Sequence, residues 1–461
     1  MKKTVAIVVS VLLALALCYV GVSYWIGGRA LQFHDQSIAR INGSKGLKAE
    51  VLSYKRGLFS SRALTKLTLV LPRQGREISI DLVDTIYHGP FVFLRDPRLK
   101  GGLRPVMAVI RTSLEPGGAD MGKALRQIPE LASSEALTVL SINGDAVSYF
   151  GIPSFQHEFK DAKGEQMEVK WGGLSGKFHF DAQAAAAVCT CDCPSLLVTG
   201  KNRKLQIAGV RGQFDSHAGI KGISVGSSHF SIGSIEAVEN GQSAFTLASL
   251  GLKTKSMVEG DKINGSIRLG FGKLNAGGLG VGPFSMDFEA RKLDASVLAR
   301  FEKLAPALQR EEMGNDEAAK AQMRGLFAKM AADLLAGRPE LEIKQLNLRT
   351  DKGDLTGKAR LGFDGDGKEF SRNILALLTS VNANAQLSVS QALFYFIAQN
   401  AIQKNRQGAE DQSKDSAGQL AARLLAAKYI TADSGAFTSS AAFKHGVLTV
   451  NGHRLGFSNL R

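Results

Sequence analysis

Residues 4–26 read TVAIVVSVLLALALCYVGVSYWI and contain no charged side chain. As a helix with a rise of about 1.5 Å per residue, this stretch would be about 34 Å long, enough to cross a hydrocarbon core of about 30 Å. Tyr24 and Trp25 stand near its end, where aromatic rings favour the lipid–water interface. The stretch predicts a transmembrane helix, with residues 1–28 as an anchor and the lipid bilayer as a partner through residues 4–26.

The same stretch has two other interpretations. Lys2 and Lys3 precede it like the basic region of a secretory signal, and Ala14-Leu15-Ala16 could serve as a cleavage site. Apolar sequence continues for about ten residues beyond that site, which favours a retained helix. Cys18 would be a lipidation site, but Leu17 precedes it where a small residue is expected.

The orientation is predicted from size rather than from charge. Arg29, Arg40 and Lys45 follow the helix closely, so the positive charges do not favour one side of the membrane. Only a short tail precedes the helix, whereas most of the 461 residues follow it. The sequence therefore predicts a single-pass protein of the inner membrane with its body in the periplasm.

Composition bounds the function of this body. Hydrophobic residues make up 44% of the chain, which is typical of a folded protein. The net charge of +15 would suit anionic lipid, acidic polysaccharide or nucleic acid. The cationic residues are scattered, however, and a body outside the cytoplasm would not meet nucleic acid. We therefore expect no nucleic-acid partner, and a charged surface that mainly faces water.

Alternation of apolar and polar residues predicts many β-strands, and three- and four-residue spacing predicts several helices. The predicted strands include residues 47–55, 66–71, 77–82, 139–142, 146–150, 166–171, 176–180, 205–214, 230–235, 263–269, 284–290, 341–349 and 355–363. The predicted helices are 294–312, 316–336, 370–379, 390–403 and 416–427, and residues 405–416 are predicted to form a loop.

These elements predict an α+β fold: an N-terminal transmembrane helix, then a large, mostly antiparallel β-sheet that can curve, with helices packed on it. The helices concentrate in the C-terminal third of the chain. Residues 29–290 would form a β-rich body, and residues 291–461 a helix-rich and strand-containing region that completes the same body. A sheet of this size must be covered by helices, fold on itself, or leave an apolar trough exposed.

A short block after the anchor resembles a known family. The block has the pattern Tyr-x-Arg-Gly-x-Phe-Ser-Ser, and a His-Gly-Pro turn follows the next predicted hairpin. The residues concerned are Tyr54, Arg56, Gly57, Phe59, Ser60, Ser61, His88, Gly89 and Pro90. In this order they are similar to the YdgA-like family of bacterial envelope proteins of unknown function, as are the strand 381–389 and the closing hairpin 436–457. The resemblance implies an envelope protein and carries no catalytic residues, so we expect His88 to be a turn residue.

Three cysteines stand at alternate positions, Cys189, Cys191 and Cys193. Cys189 and Cys193 could form a local disulfide, thiolates could bind a soft metal, or the thiols could stay free. A structural zinc site needs a second pair of ligands, and His179 is the nearest histidine. The spacing therefore leaves a disulfide or thiol cluster and assigns no metal.

Other motifs do not support catalysis. Gly222-Ile223-Ser224-Val225-Gly226 matches the serine nucleophile elbow, but the following residues alternate like a strand where that motif needs a helix. No glycine spacing fits a dinucleotide or phosphate loop, and no His-Glu-x-x-His sequence occurs. The sequence thus predicts no enzyme, no catalytic residue and no cofactor.

The leading hypothesis is a membrane-anchored, non-enzymatic binding or scaffolding module for lipid or another envelope component, such as an envelope protein. One alternative is a structural or partner-interaction protein of the inner membrane. Another is an enzyme of unrecognised type, centred on the three cysteines. The strand order, the ligand and the oligomeric state do not follow from the sequence.

Overall fold

A computed structural model describes residues 2–43, 46–71, 76–92, 96–99, 105–115, 119–160, 164–181, 186–276, 279–302, 317–364, 379–406 and 417–455. Strands account for 62% of the structure and helices for 22%. The chain forms two compact units. Unit 1 comprises residues 1–201 and 208–217, and unit 2 comprises residues 202–207 and 218–461. The predicted domain boundaries at residues 28 and 290 stay predictions.

The predicted fold class is wrong in its N-terminal transmembrane helix, whereas the described residues do form a mostly antiparallel β-sheet. Among the described residues, no helix combines the length and the apolar character that a membrane crossing requires. The N-terminal helix α1, Lys2–Gly43, continues far past the apolar stretch into a polar one. Its residues Ser23, Ile26, Ala30 and His34 are buried within the protein. The localisation as a single-pass inner-membrane protein with a periplasmic body depended on that span and is corrected with it.

Unit 1 is an antiparallel meander with α1 on one side. Its further elements are β1 (Leu47–Arg56), β2 (Ser60–Leu71), β3 (Arg76–His88), β4 (Ala108–Glu115), α2 (Ala119–Gln127), a 3₁₀ turn (Pro129–Ser133), β5 (Glu135–Leu140), β6 (Ala146–Ile152), β7 (Phe155–Lys160), β8 (Gln166–Trp171), β9 (Leu174–Phe180) and β10 (Ala186–Thr199). Strands β1 to β6 pair consecutively, ending with the β5–β6 pair. β9 then pairs with β6 and β10, and β8 pairs with β7 and β10.

The main core of unit 1 joins α1 to the sheet. Ile86, Ala108, Leu140 and Ala146 are buried together with Ala30 of α1. Phe33, one turn further along the helix, stacks on Phe180 with ring centroids 6.1 Å apart. Small alanines in the sheet let the helix approach closely, and the residues that line it come from four different strands.

Unit 2 continues as a second antiparallel meander, and β11 (Arg203–Ala218) has residues in both units. Its elements are β12 (Ser224–Glu239), β13 (Gln242–Glu259), β14 (Lys262–Phe271), β15 (Lys273–Ala276), β16 (Leu279–Asp294), α3 (295–302), α4 (Glu317–Ala336), β17 (Glu340–Thr350), β18 (Gly353–Phe363), β19 (Val381–Ser390), α5 (Gln391–Arg406), α6 (Ala417–Ala426), β20 (Thr431–Asp433), β21 (Ala436–Lys444), β22 (Val447–Val450) and β23 (His453–Leu455).

Most sequence-based strands are confirmed, since period-two alternation marks strands with one apolar face. The helices predicted at 390–403 and 416–427 are confirmed as α5 and α6. The helix predicted at 370–379 and the loop at 405–416 lie almost entirely outside the described residues, as does the second half of the helix predicted at 294–312.

Candidate functional site

The buried stripe of α1 lies on the family-like motif. Ser23, Ile26, Ala30 and His34 follow one another at spacings of three and four residues, which places them on one face of the helix. This face meets the ends of β1, β2 and β3, where the Tyr-x-Arg-Gly-x-Phe-Ser-Ser block and the His-Gly-Pro turn are located. The structure therefore brings two separate motifs and the N-terminal helix to one place.

Ser61 and His88 form the buried centre of this junction. The two side chains are 4% and 3% exposed, and Ser61 Oγ lies 3.1 Å from His88 Nε2. His88 Nδ1 lies 3.3 Å from the backbone carbonyl of Ser23. A carbonyl can only accept, so Nδ1 carries the proton and Nε2 accepts from the Ser61 hydroxyl. Burial lowers the pKa of His88, against the opposing effect of the Ser23 carbonyl, and favours the neutral ring.

Two glycines allow this close approach. A Cβ atom on Gly27 would stand 2.6 Å from His88 Cε1, which is closer than van der Waals contact allows. Gly89 has φ +144°, and a Cβ atom there would lie 3.1 Å from Ser23 Oγ. Gly89 of the family-like turn is thus required both by backbone conformation and by the neighbouring helix.

The exposed side of the junction is held by cation–π and hydrogen-bond contacts. The Arg56 guanidinium donates to the Tyr24 carbonyl and lies 4.1 Å from the centroid of the Tyr24 ring. Phe59 packs beside Tyr19, with ring centroids 5.9 Å apart. These contacts give the motif arginine and phenylalanine a shared role, which is to fix α1 against the sheet.

The remaining motif residues shape the chain around these contacts. Gly57 N donates to Ser60 O at 2.9 Å and closes the turn between β1 and β2. Ser60 then pairs with Tyr87 in the β2–β3 ladder. Pro90, half-buried, lies two residues after the end of β3. These three residues position the junction and do not enter its buried centre.

A second buried histidine extends the junction. His34 Nε2 lies 3.7 Å from Asp84 Oδ2, and the His34 ring meets the Tyr54 ring edge-on at 5.4 Å. Thr112 Oγ1 donates to Asp84 Oδ1 at 2.5 Å. Burial raises the pKa of Tyr54, although the Ser61 hydroxyl acts in the opposite direction. Sequence reasoning missed Ser23, His34 and Asp84; the regular spacing of Ser23, Ile26, Ala30 and His34 was the available signal.

The contacts of the junction link a helix to the sheet. A Ser–His pair can start nucleophilic catalysis when a carboxylate orients the imidazole and a substrate can reach the serine. Here a backbone carbonyl faces Nδ1, and α1 covers the pair. The pair therefore joins the helix to two strands by hydrogen bonds that are shielded from water.

The cysteine cluster lies within β10. Cys189, Cys191 and Cys193 occupy alternate positions of this strand, and all three thiols are unbridged. Residues four apart in an extended strand are separated by about 13 Å, whereas the Cα atoms of a disulfide lie within about 7 Å. A Cys189–Cys193 disulfide would require β10 to bend, and it stays a prediction. Burial raises the pKa of the Cys189 and Cys193 thiols, which disfavours thiolate. Across the described ranges, no group of three or more His, Cys, Asp or Glu could hold a metal ion.

The possible nucleophile elbow is part of a strand. Ser224 is the first residue of β12, which continues to Glu239. The motif would need Ser224 to stand between a strand and a helix. The structure thus supports the sequence-based argument against this motif.

Unit 2 carries a surface of a different kind, the apolar face. Strand register aligns apolar side chains from neighbouring strands into rows across the sheet. The first row consists of Phe230, Leu252, Leu269, Met286, Leu346, Gly357 and Leu387, and the second contains Ile267, Phe288, Ile343 and Ala359. We call these two rows the apolar face.

The apolar face is only partly covered, and its most exposed side chains stand at the ends of the two rows. No side chain of its two rows is buried, and Ile267 and Leu387 are 41% and 45% exposed. Two helices pack on the sheet beside these rows. Ala295 of α3 packs on Val225 and Ile263, and Phe394 of α5 packs on Phe437, with ring centroids 5.0 Å apart. Among the described residues, unit 2 therefore exposes an apolar trough between two helix-covered corners.

The opposite side of the same strands is polar and paired. Arg268 makes a two-pronged contact with Asp287 at 2.7 and 2.8 Å. Glu340 accepts from Lys292, Arg291 and Arg360 at 2.5, 3.2 and 3.0 Å, which lowers its pKa to about 2, with the Lys292 hydrogen bond as the largest cause. This side of the sheet carries ion pairs that face water, as most protein surfaces do, whereas the apolar face exposes hydrocarbon side chains. The apolar face is therefore the unusual surface of unit 2.

Comparison with known proteins gives one match. A family model described as a bacterial protein of unknown function (DUF945) matches residues 1–456. No curated protein and no solved structure matches the chain.

Proposed function

The chain belongs to DUF945, a bacterial family of unknown function, and we propose that it is a non-enzymatic module that binds a long-chain lipid on the apolar face of unit 2. The proposal rests on one observation: two adjacent rows of apolar side chains cross the sheet and none of them is buried. The YdgA-like resemblance of the Tyr54–Ser61 block belongs to the same proposal, since it too implies a family without catalytic residues.

The dimensions of the apolar face suit a hydrocarbon chain. The row from Phe230 to Leu387 crosses seven strands, which at about 4.8 Å per step is about 29 Å. Its side chains are aliphatic apart from Phe230 at one end and the thioether of Met286, and Gly357 contributes no side chain. A linear acyl chain lying along this row would meet methyl and methylene groups along most of its length.

The energetics favour occupation of this face. Each 100 Å² of apolar surface removed from water contributes about 2.5 kcal/mol, before the cost of ordering the ligand is subtracted. Exposed apolar patches of this kind mark interaction sites in folded proteins. The net charge of +15 favours a lipid with an anionic headgroup over a neutral one.

Native mass spectrometry and lipid extraction of the purified full chain test this proposal directly. We expect a stoichiometric long-chain lipid in the extract. A fluorescent fatty acid that brightens in apolar surroundings should bind the delipidated protein. Replacing Ile267 and Leu387 together by Asn should weaken its binding at least tenfold, because both side chains lie on the apolar face.

Met257→Asn is the matched control. Met257 is 44% exposed, close to Ile267 and Leu387, but it lies on the opposite side of β13. Its substitution should leave fatty-acid binding unchanged. A clean unliganded mass together with no fatty-acid binding would overturn the proposal, as would equal losses in the two variants.

A further inference from the structure

A cavity of about 510 Å³ lies on the polar side of unit 2, across the sheet from the apolar face. Three adjacent strands, β18, β19 and β21, form its floor. Lys344 and Gln345, at a bulge in β17, form one wall. Thr431 of β20 and Asn451, in the turn after β22, form the other. We call this cavity the polar groove.

Strand register arranges the floor of the polar groove in two polar rows. Four hydroxyl side chains face one another across four strands: Thr356, Ser388, Thr438 and Thr431. In the next row Lys358 pairs with Gln386, and Gln386 with Ser440. Leu387 also borders the groove, but alternation directs its side chain to the apolar face. The floor therefore offers hydroxyl, amide and ammonium groups at intervals of about 4.8 Å.

The wall at Asn451 is fixed in advance. Asn451 Oδ1 accepts from the backbone N of Ser440 at 2.8 Å, and its amide donates to the Lys428 carbonyl at 2.9 Å. Thr431 and Thr438 hold each other through a hydroxyl–hydroxyl bond of 2.7 Å. A ligand would meet groups that are already oriented, which reduces the entropy lost on binding.

The charge of the polar groove is positive. None of the described residues that line it is Asp or Glu. The Lys344 ammonium is paired with Glu289, outside the lining. Lys358 is exposed and, among the residues the structure describes, forms no ion pair, so its ammonium is available to an anion. Hydroxyl-rich walls with one unpaired cation fit a ligand that is itself rich in hydroxyl groups and carries a carboxylate.

We infer that the polar groove binds an acidic sugar, with Lys358 recognising the carboxylate and the hydroxyl and amide rows recognising the ring hydroxyls. An acyl chain does not fit, because no apolar side chain is directed into the groove. Single-stranded nucleic acid does not fit either, because the lining contains no aromatic residue on which a base could stack. This site is independent of the proposed lipid site, since the two use opposite faces of the sheet.

Ligand-observed nuclear magnetic resonance on the full chain tests the inference. The probes are glucuronate and galacturonate, with glucose and galactose as their uncharged counterparts. Both acids should bind, and the neutral sugars should bind at least about tenfold more weakly, the size expected for one charge-assisted hydrogen bond. Lys358→Gln should weaken binding of the acids by about the same factor, and Gln386→Ala should weaken it independently of charge.

Lys352→Gln is the matched control, because Lys352 is an exposed lysine in the β17–β18 turn and does not line the groove. Ile267→Asn, on the apolar face, should also leave sugar binding intact. The inference is overturned if neither acid binds, or if Lys358→Gln and Lys352→Gln behave alike. Displacement of the acids by inorganic phosphate at equal concentration would also overturn it, because the groove would then select charge and not sugar.

Discussion

The backbone of Gly27 in α1 lies directly against the imidazole ring of His88 at the end of β3. A Cβ atom at position 27 would come within 2.6 Å of Cε1 and 2.9 Å of Nδ1. The same ring bonds the Ser61 hydroxyl and the Ser23 carbonyl, so it has little freedom to move away. Because Gly27 carries a hydrogen atom in place of a Cβ atom, α1 can approach the sheet this closely.

Gly27→Ala should release α1 from the sheet. The added methyl group must push the helix or the His88 ring aside, and overpacking of this kind costs about 1–3 kcal/mol. Hydrogen exchange of residues 23–34 should become faster than in the wild-type protein. Gly21→Ala is the control, since nothing lies within 4 Å of a Cβ atom there. It should stabilise the helix by about 0.5–1 kcal/mol, and equal exchange in both variants would refute the proposed contact.

His88 should make the protein less stable in mild acid. Burial lowers its pKa in the folded state, so below about pH 6.5 the unfolded chain takes up the proton first and the free energy of unfolding falls with pH. Above that pH the neutral ring keeps its full contribution. Denaturant titrations between pH 5 and pH 8 would measure this acid limb. His88→Gln removes the titrating group. If the free energy of unfolding of this variant still falls below about pH 6.5 as in the wild-type protein, another group causes the effect.

Glu340 should contribute stability at neutral pH and lose it only in strong acid. Its folded pKa of about 2 lies below the ordinary value of 4.5, so the contribution is present above pH 4.5 and disappears as the pH falls through about 2. Glu340→Gln should cost about 1–2 kcal/mol at pH 7, after allowance for the solvent exposure of its partners. The cost should shrink in titrations at pH 3, and an equal cost at both pH values would contradict this account.

The Cys189 and Cys193 thiols of β10 should react slowly in the folded protein. Burial raises the pKa of Cys189 and Cys193, and a protonated thiol is a poor nucleophile. Iodoacetamide at pH 7.5, followed by site-resolved mass spectrometry, should label them at least tenfold more slowly than in guanidinium chloride. Recovery of a linked Cys189–Cys193 peptide from freshly purified protein would instead show that β10 departs from a regular strand.

The strands of both units were largely predictable, because each strand has one apolar side. Apolar and polar residues therefore alternate along its sequence. Gly353–Phe363 is an example, with intermediate and exposed residues alternating along most of β18. Alternation also anticipated an apolar face. Which part of that face stays open depends on where α3 and α5 meet the sheet, and these contacts join residues far apart in the chain.

The N-terminal helix was misread because length and apolar character do not show which face of a helix packs on protein. Residues 4–26 matched the length of a bilayer span, yet Ser23 and Ile26 are buried against protein. The polar pair Ser23 and His34, in register with Ile26 and Ala30, would have indicated a helix face that needs hydrogen-bonding partners. The family-like residues were singled out together, but only the fold shows that Ser61 and His88 meet under this helix.

The two faces of unit 2 are separated by a single layer of backbone. In β19, Leu387 belongs to the apolar face, and its neighbours Gln386 and Ser388 belong to the polar groove. Inserting or deleting one residue within β19 would therefore exchange the two surfaces along the rest of that strand. Length changes in β19 should therefore be tolerated less well than most substitutions at its exposed positions.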